Sequence, residues 1–140
     1  MKRFLFPALA ALALSLGSCE KTECDCKQPL TTEVLTQATT WYLSEYSVGD
    51  QTERGSAIKD RFALRFGSDG SYRRILLSDN SETAGTWSIN SGTRQLFFID
   101  HKGDPQEYSV EERNTNPESL WLSRTAKTGP REYFLFKKVP

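Results

Sequence analysis

The chain has 140 residues, with 18 basic and 18 acidic side chains, one histidine and three cysteines. That length holds one domain, and the balanced charge excludes a nucleic-acid binder, which needs a concentrated basic face. Loss of Lys2 and Arg3 with a leader leaves a slightly acidic chain, which gives no electrostatic pull toward a membrane surface.

Met1-Lys2-Arg3 is a short basic start, and Phe4 to Leu16 is almost wholly apolar. The run is too short to span roughly 30 Å of hydrocarbon as a helix. It has the order of a signal peptide, residues 1–18, and lacks the amphipathic pattern of a core helix. Leu16-Gly17-Ser18-Cys19 resembles a bacterial lipobox. That resemblance implies cleavage before Cys19 and lipidation of its thiol and amine. Several acyl chains on one residue anchor stably, where one does not. The alternative is a secreted protein with a structural Cys19. In the sorting rules that the leader resembles, Asp directly after the lipidated Cys retains a protein at the inner membrane. Glu20 stands there instead, which implies the outer membrane, facing the periplasm or the cell surface.

Residues 19–38 lack strand alternation and read as a lipidated tether. Cys24 and Cys26 flank Asp25. A disulfide between them closes a very small ring, against the usual Cα separation. Two exposed thiols, pairing with each other and pairing with another chain all remain open. Metal binding needs more ligands than these and the distant His101, so no metal is expected. Thr32 to Gln37 could form one helical turn, with Val34 and Leu35 as its docking residues.

Residues 39–140 read as the folded domain. The expected strands run Trp41 to about Val48, about Asp60 to Phe66, Tyr72 to Leu77, Ala84 to Ile89, Gln95 to Ile99, Glu107 to Glu112, Leu120 to Arg124 and Glu132 to Lys137. Phe62, Leu64 and Phe66 alternate with Ala63 and Arg65; Trp87 and Ile89 alternate with Thr86 and Ser88. That is the period of a strand with one buried face. Two strands are ambiguous: Ile75-Leu76-Leu77 and Tyr133-Phe134-Leu135-Phe136 are apolar on both faces. The connections are polar turns: Gly49 to Gly55, Gly67-Ser68-Asp69-Gly70, Asn90-Ser91-Gly92-Thr93, Asp100 to Pro105, Asn114 to Pro117 and Thr128-Gly129-Pro130. Eight short strands with no crossover helix predict an all-β fold, an eight-stranded antiparallel up-and-down barrel. A two-sheet β-sandwich is the alternative.

Trp41-Tyr42-Leu43, Phe62-x-Leu-x-Phe-Gly-x-Asp-Gly-x-Tyr72, Gly85-Thr-Trp-Ser-Ile89, Tyr108-Ser-Val110, Leu120-Trp-Leu122 and Tyr133-x-x-Phe136 follow one another at the spacing of the bacterial lipocalin-like domain, which this region resembles. Such domains often follow a lipobox. The resemblance implies a lipocalin-like barrel that binds a small apolar or lipid-like ligand. Lipocalins proper carry Gly two residues before the first tryptophan; here that residue is Thr39.

No catalytic set is legible. The lone His101 sits in a turn, and Asp60, Asp69, Asp79, Glu82, Asp100, Glu111 and Glu112 are scattered, mostly beside turns. The expectation is a non-enzyme without a cofactor. If the barrel holds a ligand, the candidate walls are Trp41, Phe62, Phe66, Trp87 and Tyr108, although large inward aromatics can equally fill the interior. The second reading is an envelope interaction module with a filled core. Inward Leu120, Leu122, Phe134 and Phe136 would leave Tyr42, Trp121, Tyr133 and Leu135 as an apolar stripe on the outer wall. Leu30, Val34 and Leu35 could cover it, or a protein partner or second copy could.

Overall fold

The computed structural model describes residues 30–111, 118–125 and 129–139. The leader, Cys19, Glu20, Cys24, Cys26, Glu112, the turn at 114–117 and Thr128 lie outside the described residues. The elements are α1 (Thr32–Gln37), β1 (Trp41–Val48), β2 (Gln51–Arg54), a 3-10 turn (Gly55–Ala57), β3 (Phe62–Phe66), β4 (Ser71–Leu76), β5 (Glu82–Asn90), β6 (Gln95–Asp100), β7 (Pro105–Val110), β8 (Ser119–Thr125) and β9 (Arg131–Lys137).

Every strand pairing is antiparallel. β3 through β9 pair in sequence, and β1 closes the ring by pairing with β3 through Trp41 and Tyr42 and with β9 along most of its length. The fold is therefore the expected closed eight-stranded barrel, not a sandwich. Closure matters energetically, because every strand of the ring gains a partner on both sides, although β1 meets β3, and β7 meets β8, over only two residue pairs each.

One strand was not anticipated. Gln51 to Arg54 lies inside the segment read as a polar loop, yet it forms β2 and folds back on the far half of β1. All four of its residues are exposed, so it has no apolar period to read. Cross-strand pairs hold it: Arg54 Nε donates to Glu45 Oε2 at 2.8 Å, and Ser47 and Thr52 share a hydrogen bond of 3.0 Å.

A β-bulge between Leu43 and Glu45 sets the phase of β1. Trp41 and Leu43 face inward, and strict alternation would next bury Glu45. The extra residue moves Tyr46 inward instead, opposite Phe134, with ring centroids 5.2 Å apart. Glu45 then faces out beside Leu135.

One end of the barrel is shut by side chains. Trp41, Phe66, Trp87, Leu96 and Leu120 are buried there. Both indoles satisfy their N–H on main-chain carbonyls, Trp41 Nε1 to Leu35 O at 2.9 Å and Trp87 Nε1 to Gly67 O at 3.1 Å. The first bond ties in α1. A helix of six residues is not stable by itself; this one is fixed by burying Leu35 fully in the core. Gly70, at φ +82, lets the β3–β4 hairpin turn tightly at this end; its N–H donates to Gly67 O at 3.1 Å.

Candidate functional site

The opposite end is open. β3, β5, β7 and β9 begin there and β4, β6 and β8 end there, around a cavity of about 400 Å³. Leu64, Leu122 and Phe136 lie along its inner wall. A chain of edge-to-face aromatics runs around one side: Tyr72 to Phe98 at 4.9 Å, Phe98 to Tyr108 at 5.5 Å, and Tyr108 to Phe134 at 5.6 Å between centroids. A shallower hollow of about 300 Å³, lined by Asp60, Arg74, Leu76, Ser81 and Thr83, lies beside the mouth.

The rim is polar, and the strand period explains why. Arg74 lies two residues beyond inward Tyr72, Asp100 two beyond Phe98 and Arg124 two beyond Leu122. Gln106 lies two before Tyr108, and Glu132 two before Phe134. The strand registers place all five on the inner face at the open end. None was singled out from the sequence as a binding residue. The signal that finds them is parity: a polar residue continuing an inward apolar series at a strand end.

Two of these groups neutralise each other. Arg124 Nε donates to Glu132 Oε2 at 2.5 Å, and Tyr46 Oη donates to Glu132 Oε1 at 2.8 Å. Arg124 also donates to Tyr108 Oη at 3.0 Å and to Gln106 Oε1 at 3.3 Å. Burial favours the neutral form of Glu132, but the hydrogen bonds from Arg124 and Tyr46 outweigh it and hold the carboxyl below its usual value of 4.5. Tyr108 is shifted the other way, with burial pushing its phenol up.

Asp100 organises its own loop. Its Oδ1 accepts from the N–H groups of Lys102 at 2.8 Å and Asp104 at 2.9 Å. These bonds, that from Asp104 foremost, keep its carboxyl ionised below the ordinary aspartate range. Arg74 is placed differently. Its guanidinium lies over the Phe62 ring, 4.1 Å from the centroid, and among the described residues it makes no ion pair and no hydrogen bond.

Of the five aromatics read as pocket walls, Phe62 and Tyr108 line the cavity. Trp41, Phe66 and Trp87 are packed in the shut end, with exposures of 1%, 6% and 7%. Filled core and cavity are thus both present, at opposite ends of one barrel. Tyr42, Trp121, Tyr133 and Leu135 face outward. Trp121 is directly opposite Leu135; across β1, Leu135 meets Glu45, and Tyr42 meets Lys137. Among the described residues of the preceding segment, Leu35 is in the barrel core and Leu30 packs against that core. Among the described residues no cluster of His, Cys, Asp and Glu forms a metal site, and no helix is long and apolar enough to cross a membrane.

No family model matches the chain, and no curated protein matches it. Among solved structures it is similar to a DUF4847 family protein from Bacteroides vulgatus, with a TM-score of 0.52 and 15% sequence identity, over 77% of this chain and 97% of that one. A likeness at that identity shows a shared barrel fold.

Proposed function

We propose that this protein is a non-catalytic lipoprotein of a bacterial outer membrane, anchored through lipidated Cys19, whose lipocalin-like barrel binds a small, largely apolar ligand in its open mouth. The observation that carries the reading is the cavity of about 400 Å³, walled by Phe62, Tyr72, Phe98, Tyr108, Phe134 and Phe136 and crowned by a few polar groups. Apolar walls with sparse, placed polar groups are the usual make-up of a small-molecule site, and the volume lies near the lower end of the roughly 300–1,000 Å³ that such sites span. A two-chain lipid is too large for it. The leader supports an envelope address, and Glu20 supports the outer membrane, facing the periplasm or the cell surface.

The test is recovery of ligand. Small molecules are extracted from the purified wild type and from Thr83→Trp, and both extracts are analysed by mass spectrometry. Thr83 lines the mouth, so an indole there should block it. A compound retained by the wild type and lost from the variant is the expected result. Equal retention, or none by either protein, overturns the pocket reading.

A second reading, an envelope protein partner on the outer wall, is favoured by one observation. Tyr133 is 37% exposed on the same face as Trp121 and Leu135. Capture would then depend on Trp121 and be indifferent to Thr83.

A further inference from the structure

We propose that the mouth cavity takes a small organic monocarboxylate with a flat apolar body, its carboxylate held by the guanidinium of Arg74. This rests on the reading of the mouth as a ligand site and adds the charge and shape of what enters it.

The charge follows from accounting for each ionised group at the mouth. Arg124 is matched by Glu132, and both Glu132 oxygens are occupied, one by Arg124 and one by Tyr46. Asp100 is committed to two loop N–H donors. Lys102 is the other basic chain on the rim and offsets Asp100 in net charge. Asp60 shares the adjoining hollow with Arg74, but no ion pair joins them among the described residues and Asp60 does not line the cavity. One positive charge is left over, that of Arg74, and a single negative charge balances it.

The geometry favours a planar anion. Arg74 is inward on β4 opposite Leu64 on β3 and Thr83 on β5. Its flat guanidinium rests on the Phe62 ring, which holds the face and leaves the N–H edge available. A fork of parallel N–H donors matches the two oxygens of a carboxylate. Behind it the cavity walls are ring edges and faces, from Tyr72 through Phe98 and Tyr108 to Phe134. Such walls suit a flat apolar body that can make offset or edge-on ring contacts.

The experiment is isothermal titration of the purified protein held in lipid nanodiscs, corrected against empty nanodiscs, with 2-naphthoate, the neutral 2-naphthalenemethanol and 2-naphthyl phosphate. Repetition on Arg74→Gln isolates the side chain; because Arg74 is exposed, this variant should keep the wild-type unfolding midpoint. The expected result is naphthoate bound about 10- to 100-fold more tightly than the alcohol, with that preference gone in Arg74→Gln. Equal binding of acid and alcohol by the wild type overturns the carboxylate inference and leaves the pocket reading standing. A preference that survives in Arg74→Gln overturns the role of Arg74. Tenfold tighter binding of the phosphate than of the carboxylate overturns the single-charge accounting. Binding of no probe, with no compound recovered from the purified protein, removes the pocket reading itself and this inference with it.

Discussion

Gly85 is the position at which one methyl group should do most harm. It lies in β5 between Tyr72 of β4 and Asp100 of β6. A Cβ built there would fall 2.1 Å from the carbonyl oxygen of Ile99, 2.6 Å from Cε1 of Tyr72 and 3.1 Å from Cα of Asp100. The Tyr72 ring could swing aside, but the other two contacts are backbone of the neighbouring strand. Relief therefore requires β5 and β6 to part, which strains the ladder between them. Overpacking in a well-packed core costs about 1–3 kcal/mol, and a backbone clash belongs at or above the top of that range. Against a total stability of about 5–15 kcal/mol, Gly85→Ala should remove a large fraction. The unfolding temperature should fall on the order of 10 °C. Urea denaturation followed by tryptophan fluorescence reads the free energy directly. Because Tyr72 and Asp100 both line the mouth, any Gly85→Ala protein that folds should also bind naphthoate less well. A loss below about 1 kcal/mol would show that the strands accommodate a side chain, and the close-approach argument would fail.

Cys19→Ser should move the protein from the detergent phase to the aqueous phase on partition; identical partition of the two proteins would defeat the lipid anchor. The second expectation concerns acid stability. Glu132 has a folded pKa below its unfolded value of about 4.5, so the unfolded chain binds the proton more readily. The contribution is fully present above the unfolded value and is lost as pH falls through the lower folded one. Glu132→Gln should be less stable at pH 7 but should lose less stability between about pH 5 and pH 3; parallel acid curves for variant and wild type would refute the linkage.

The inward apolar series carried the fold because it obeys a period of two wherever a strand has one buried face. Trp87 and Ile89, Tyr108 and Val110, and Leu120 and Leu122 point inward as their alternation requires. The alternation is silent where that condition fails. β2 buries nothing and is held by polar pairs, so Gln51 to Arg54 looks like loop. Ile75 is on the outer face opposite Ala63 yet only 7% exposed, which is why the run Ile75-Leu76-Leu77 does not declare its faces. The β1 bulge is equally invisible: nothing in Ser44-Glu45-Tyr46 says that the phase shifts, yet this shift turns Glu45 out and Tyr46 in. The candidate site was half legible. Large aromatics were identified as inward, but whether they fill or surround space depends on position along the barrel axis, and periodicity carries no axial coordinate.

That axial coordinate divides the packed end of the barrel from the open one. Within a strand, the same inward parity carries apolar bulk toward the shut end and a polar group toward the mouth: Leu120 and Leu122 give way to Arg124, and Leu96 and Phe98 to Asp100. At the shut end, α1 and two hydrogen-bonded indoles fix the core. At the mouth the aromatic walls stay apart, and the polar groups hold one another in place. Arg124 and Glu132 therefore serve the fold as well as the rim, since removing either leaves a partly buried charge without its partner. Arg74 carries no such duty among the described residues, because no carboxylate depends on it. Its one recorded contact is with the Phe62 ring, so its N–H edge is the part of the rim that the fold leaves uncommitted among the described residues.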